Sequence, residues 1–397
     1  QTHKQIGLIY LDVSSGSKIQ ETFGYRTIEQ VINKMGQTLS KLKGQSFREN
    51  DTVAAVMKSG NDFVILLSPP REKNIIEMKD LLMIRSRILK TVRESITGTM
   101  DPSLAKRFHL RAGAAVIENE PNIRVEHLVY DALEAAKESA RLKELEYKKK
   151  DMEKLRLVLE RGEITTVFQP IVDLSTFKII AYEAFSRGPN GFLENPETLF
   201  KLAAEGDFVW KLDRVCRDKA FLAARDMKAD LLFLNINPHA IGDPEFKEIS
   251  KSVYLKHSGL TIDRIVFDLS EQAMVQDFDL FNMILNYFKT LGFKISIDDA
   301  GSGFYAGLEL IARSKPDFVK IDSSLIRGIE KDKVKQSLIS TIINFASMAK
   351  ATVGAEGIET VAELETLKEL GVKIGQGYLF AKPAFPFPSI KKPSLHS

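Results

Sequence analysis

The chain has 397 residues, of which 44% are hydrophobic and 27% charged, the composition of a globular protein with more than one domain. Lys+Arg at 56 against Asp+Glu at 53 gives a net charge of +3, too balanced for sequence-independent nucleic-acid binding, so no nucleic-acid polymer is expected as a partner. A single cysteine, Cys216, excludes an internal disulfide framework and a cysteine-based zinc site and fits a reducing cytoplasm, while no apolar run approaches the roughly 18 residues of a membrane span.

In chain order, "GLIYLDV" reads as a strand, followed by a helix around 27–42. "DTVAAVMKSGNDFVILLS" reads as a hairpin turning at Ser59-Gly60-Asn61-Asp62, then come a helix over 72–96, a strand "RFHLRAGAAVI" and a helix from 125 onward. Strands with helices on one side predict an α/β or α+β sandwich. Because the chain opens almost directly on "IGLIYLDV", it is expected to be cut from a longer protein with a sensor or membrane domain. The charge-dense stretch "EAAKESARLKELEYKKKDMEKLRLVLER" lacks Gly and Pro and predicts a solvated linker helix, the alternative being a surface helix of one domain. The predicted division is a first domain over 1–145, a helical linker over 134–160 and a second domain over 161–397.

Past the linker, short apolar runs alternate with helix-length segments at 210–228, 276–290, 331–350 and 360–370. The strand candidates are "TTVFQPIV", "IIAYEAF", "LLFLNIN", "RIVFDLS", "KISID", "FVKID", "ATVGAE" and "GYLF". This alternation predicts a (β/α)₈ barrel. Between the first two strands lies only "DLSTF", far short of a parallel crossover, so the first strand is expected antiparallel to the second.

In such a barrel, polar residues at the C-terminal strand ends converge on one mouth. The predicted strand ends carry Glu183 with Arg187, Asn235, Asp268 with Glu271, Asp298 and Asp299, Lys320 and Asp322, and Glu356 with Glu359, while Gln376 precedes the eighth strand candidate. Acids far outnumber Lys320 and Arg187, which is costly without a counter-charge. Carboxylates with one amide oxygen suit Mg²⁺ or Mn²⁺, one or two ions. The reaction class this suggests is metal-assisted phosphodiester hydrolysis: Arg187 holds a phosphate, and Lys320 orients the water or offsets developing charge. Asp322, before "SSLI", is equally suited to capping a helix.

"YEAFSR", with "VFQPIV", "LNIN", "DLSE", "IDDAGSG", "KPDFVKID", "GAEGIE" and "GQGYLFAKP", resembles the EAL domain over about residues 160–385. The resemblance implies a bacterial phosphodiesterase that opens cyclic di-GMP to linear pGpG, on a TIM-like barrel with an antiparallel first strand, and commonly a homodimer. It implies Glu183, Asn235, Asp268, Asp298 and Asp299 as metal ligands. Glu356 is implied at the metal centre as candidate base, Lys320 as positioning the water and Gln376 as supporting the site. It further implies Gln169 and Arg187 as substrate contacts, with Glu271 and Glu359 bracing the site or its loop. The sequence departs from the family pattern at Phe185 (in place of leucine), at Asp268 (in place of glutamate) and in "DDAGSGFYAGL", which carries Ala300 in place of phenylalanine and is one residue longer. These departures frame the alternative, a weakly active or inactive cyclic di-GMP receptor signalling by conformation.

The segments "LIYLDVSSGSKIQETFGY", "VAAVMKSGNDFVILL" and "VYDALEAAK" are similar to the GGDEF family, which condenses GTP into cyclic di-GMP. The signature turn has become Ser59-Gly60-Asn61-Asp62-Phe63; Asp12 stands at the first metal-ligand position, but Ser14 replaces the next acid. A degenerate domain is expected, one that binds GTP as a regulator or serves in dimerisation. The expected location is the cytoplasm, with attachment to a membrane through a longer chain as the variant.

Overall fold

A computed structural model of the protein describes residues 5–13, 20, 24–56, 62–69, 75–100, 108–237, 240, 242–270, 278–300 and 311–393, the side chains of 247, 278–281 and 284 excepted. The predicted turn at Ser59-Gly60-Asn61, the replaced acid at Ser14, and Glu271 lie outside the described residues. The chain divides into two compact units, Gln1–Lys150 and Asp151–Ser397.

In the first unit, β1 (Ile6–Val13), β2 (Thr52–Val56), β3 (Asp62–Leu67) and β4 (Leu110–Ile117) form one sheet in the order β2-β3-β1-β4. Every pair is antiparallel. Alternate residues of β1 serve different cores. Ile9, Leu11 and Val13 pack with the helices Tyr25–Leu42 and Met78–Thr97, while Leu8 and Tyr10 pack with Ala132, Ala136 and Ala140 of the helix Val125–Arg161. Helices therefore cover both faces, not the one face expected from sequence, which is why "GLIYL" is apolar without alternation. The sheet and the long helix meet closely at Gly113, where a Cβ would stand 1.7 Å from the Ala136 carbonyl oxygen.

The second unit is a closed eight-stranded barrel. Its strands are β5 (Thr165–Asp173), β6 (Ile179–Arg187), β7 (Leu231–Asn235), β8 (Ile265–Ser270), β9 (Lys294–Ala300), β10 (Phe318–Ile321), β11 (Thr352–Ala355) and β12 (Ile374–Gly375). All neighbours are parallel except β5, which runs antiparallel to both β6 and β12. The reversal is built at Asp173, whose Oδ1 accepts the backbone N–H groups of Ser175 and Thr176 at 3.0 and 2.7 Å and both hydroxyls. These bonds hold its carboxyl down to a pKa of about 2. Such a side-chain-closed turn leaves room only for a hairpin.

The eighth strand differs from expectation. "GYLF" forms no strand; β12 is the preceding Ile374–Gly375. Past it, Phe380 N–H donates to the Gly377 carbonyl at 3.1 Å and Leu379 N–H to the Ile358 carbonyl at 3.0 Å, so the backbone turns in place of extending a ladder. Gln376 thus follows its strand, as Glu356 follows β11.

Side chains from alternate positions fill the bore, Ile171, Ala181, Phe233, Val266 and Ile374 packing together. Caps start helices promptly after strands: Asp322 accepts from Ser324 N–H at 2.9 Å, and Thr360 and Glu363 form a reciprocal capping box. Asp322 is therefore spent on a helix N-terminus.

Candidate active site

Lys320 lies on β10 where the register against β9 shifts, between Val319 and Ile321, a local irregularity of the kind that re-aims a side chain. It is 3% exposed. Its ammonium stands 3.0 Å from Glu183 Oε2, 2.5 Å from Asp268 Oδ2, 3.1 Å from Asp298 Oδ1 and 2.5 Å from Glu356 Oε1. Four strand ends thus deliver carboxylates to one cation.

Neutral amides knit the acids together. Asn235 Nδ2 donates to Glu183 Oε1 at 2.8 Å, and Gln376 Nε2 donates to Glu183 Oε2 at 2.7 Å and Glu356 Oε1 at 3.1 Å. Asp299 stands beside the group with φ of 58°, a left-handed backbone that costs a non-glycine residue energy, and its Oδ2 accepts from Ser270 Oγ at 3.3 Å. Ligand oxygens of Glu183, Asp268 and Asp298 lie within 4.8 Å of one another, as do those of Asp298, Asp299 and Glu356.

Electrostatics make this group needy. Burial alone would lower the pKa of Lys320, but Asp268, Asp298, Glu183 and Glu356 outweigh it and hold the ammonium charged. Burial, together with Asp298, pushes Asp268 well above the usual carboxylate range; Glu356 rises for the same reasons, Lys320 opposing. Burial and Asp298 lift Asp299 to about 6. The Lys320 ammonium alone cannot balance the carboxylates around it, and among the described residues Asp268 Oδ1 is buried with no hydrogen-bond partner. An all-oxygen donor set with an orphaned carboxylate oxygen and a charge deficit fits a hard divalent cation.

Other residues named from sequence stand apart from this bonded cluster. Gln169 sits opposite Glu183 in the β5–β6 register, but its Nε2 donates to the Ala381 carbonyl at 3.0 Å. Arg187 donates to the Ser186 carbonyl at 2.9 Å, its guanidinium 5.9 Å from the Phe185 ring centroid. Glu359 pairs with Arg327 at 2.7 Å. Two contributors went unread in the sequence. Ser270 supports Asp299, and Asp213, on the helix Val209–Ala223, accepts the Asn237 N–H at 3.1 Å. An acid four residues before Arg217 within the apolar stripe of "WKLDRVCRDKAFL" was the available signal.

In the first unit, Asp12 is flanked in the sheet by Asp62 on one side and Arg111 on the other. Arg111 donates to Asp12 Oδ2 through Nε at 2.9 Å and through Nη2, and to Glu144 at 3.0 Å. Among the described residues, both carboxylate groupings spaced to hold a metal lie in the barrel.

The EAL domain model matches residues 152–383 and the model of the diguanylate cyclase GGDEF domain matches residues 1–144. The cyclic di-GMP phosphodiesterase PdeR of Escherichia coli (strain K12) is 25% identical over 395 residues, covering 96% of this chain and 58% of PdeR. The chain spans about half the length of the curated relatives it matches. A standalone EAL protein from Vibrio cholerae O395, solved with cyclic di-GMP bound, is 36% identical with a TM-score of 0.52, covering 57% of this chain and 95% of that one. The FimX EAL domain of Xanthomonas citri, in complex with the same dinucleotide, is 23% identical with a TM-score of 0.56 over 61% of this chain and 96% of its own, a likeness of fold. With its barrel, its reversed first strand and its strand-end acids, the chain belongs to the EAL domain family, and a GGDEF domain match precedes the barrel.

Proposed function

We propose that the barrel hydrolyses one phosphodiester of cyclic di-GMP to linear pGpG with Mg²⁺ or Mn²⁺, one or two ions. The observation that carries this reading is the convergence of Glu183, Asp268, Asp298 and Glu356 on Lys320 with Asp268 Oδ1 left unpartnered. Glu183, Asn235, Asp268, Asp298, Asp299 and Glu356 would hold the ions. Bound there, a divalent ion supplies Lewis-acid polarisation of the phosphate and acidifies a water.

The chain's own groups do the rest. Asn235 donates through Nδ2 to Glu183, which leaves its Oδ1 as a donor to a cation. Gln376 fixes the Glu183 and Glu356 carboxylates through one amide nitrogen. Glu356, held by Gln376 and Lys320, takes the proton of the attacking water. The water oxygen bonds to phosphorus, the bond from phosphorus to the 3′ oxygen breaks, and that oxygen leaves with the proton Glu356 took, returned through solvent. Lys320 orients the water and offsets charge growing on the phosphoryl oxygens. Gln169 and Arg187 contact the dinucleotide, Arg187 as a phosphate fork, and Glu359, with Glu271, braces the adjoining loop.

The first domain, assigned to 1–145 with a linker over 134–160 before the barrel at 161–397, is read as a degenerate GGDEF domain that takes GTP as a regulator or mediates a homodimer. Support comes from Asp12, whose carboxylate is already neutralised by Arg111. No helix among the described residues is long and apolar enough to cross a membrane; the proposed location is the cytoplasm.

The test is conversion of cyclic di-GMP to pGpG by the purified protein with Mg²⁺ and then Mn²⁺, with and without GTP, beside equilibrium binding of cyclic di-GMP. Turnover supports the enzyme, and a GTP effect supports the regulator. Binding without turnover in either metal replaces the enzyme with a receptor.

A further inference from the structure

We infer that Asp213 and Arg217 are positioning residues that set the end of β7 and thereby aim Asn235 into the acidic cluster. Asp213 is 1% exposed and Arg217 5% exposed, one turn apart on the helix Val209–Ala223. Asp213 Oδ2 accepts from Arg217 Nη1, and its Oδ1 accepts the backbone N–H of Asn237 at 3.1 Å. The guanidinium carbon lies 4.2 Å from the Phe246 ring centroid, which fixes its plane. Between Asn235 and Asn237, Ile236 N–H donates to the Asp268 carbonyl at 3.0 Å. The segment leaving β7 is therefore tied on one side to the neighbouring strand and on the other to a buried carboxylate.

A buried ion pair is poor at adding stability, since apolar residues of similar volume often do as well. What it supplies at this place is an acceptor for a strand-end N–H. Groups that orient ligand residues in this way typically change metal affinity about 10–100-fold when removed. The inference rests on the reading of Asn235 as a metal ligand.

The experiment measures Mn²⁺ binding to the whole chain by electron paramagnetic resonance, without nucleotide, together with the thermal midpoint. The variants are Asp213→Ala, Asp213→Asn, the double variant Asp213→Leu with Arg217→Met, and Asn235→Ala as reference for the site. Asp213→Ala is expected to lower affinity about tenfold or more, and Asp213→Asn, which keeps an acceptor oxygen, to recover part of the loss. The double variant removes the acceptor together with its ion-pair partner, so it is expected to lose less of the midpoint than Asp213→Ala and still lose affinity, Asp218 and Asp243 keeping Arg214 as a counter-charge; it carries the test if Asp213→Ala does not fold. Wild-type Mn²⁺ affinity in the double variant overturns the inference while leaving the site reading intact. Wild-type affinity in Asn235→Ala overturns the site reading itself, and this inference falls with it.

Discussion

Replacing Lys320 by methionine removes the ammonium from the centre of the acidic cluster while keeping an unbranched stem one atom shorter. At an effective dielectric of about 20, each of its contacts near 3 Å has a gross attraction of about 5 kcal/mol. Desolvation of the ammonium and mutual repulsion of the carboxylates cancel most of that sum. The expected net cost of stranding buried charges is about 3–5 kcal/mol. For a unit the size of Asp151–Ser397, that lowers the unfolding midpoint by about 6–20 °C. The assay is scanning calorimetry of wild type and Lys320→Met, first with chelator and then with excess Mn²⁺. The variant is expected to gain more from Mn²⁺ than wild type does, because the ion replaces the missing counter-charge and no ammonium competes with it. Turnover is expected to fall about 100-fold or more even in Mn²⁺, since the donor facing the phosphoryl oxygens is gone. A variant that melts with wild type in chelator, or gains no more from Mn²⁺ than wild type, would refute the electrostatic account.

Asp299 holds its proton in the folded state up to pH about 6, against a usual value of 3.8. Without metal, its contribution to stability is full below about pH 4 and declines as pH rises to about 6, because the unfolded chain releases that proton first. Asp299→Asn is expected to flatten urea midpoints across this window in chelator; an unaltered slope places the titration elsewhere. At Gly377 a Cβ would stand 2.1 Å from the Ile358 carbonyl oxygen and 2.3 Å from its nitrogen, both backbone. Gly377→Ala is therefore expected to cost about 1–3 kcal/mol or more and, by shifting neighbouring Gln376, to weaken Mn²⁺ binding; an unchanged melt and titration would show that the chain has room there. With Asp12 held by Arg111, incubation with GTP and Mg²⁺ is expected to yield no cyclic di-GMP, and detectable product by chromatography contradicts the degenerate reading.

The site was legible to the extent that barrel topology turns strand ends into neighbours. Once alternating strands and helices were recognised, Glu183, Asp268, Asp298, Lys320 and Glu356 had to share a mouth, and the structure bonds them together. The reversed first strand was equally readable, because a five-residue link cannot carry a parallel crossover. These are constraints of period and chain length, which a sequence carries locally.

What the sequence could not settle was decided by packing and by competition for hydrogen bonds. "GYLF" has the composition of a strand, yet the close approach of Gly377 to Ile358 turns the chain there and leaves Ile374–Gly375 as the barrel strand. Asp322 looks like a site acid but is spent capping its helix. Asp213 looks like a surface acid but is buried beneath β7. Both faces of the first sheet are covered because the helix that follows β4 folds back over it, and Ala132, Ala136 and Ala140 are small enough to let it lie close. The sequence by itself determined which residues can carry charge to the mouth of the barrel. Only the tertiary structure decided which of them have oxygens to spare, because that depends on which donors reach them in space.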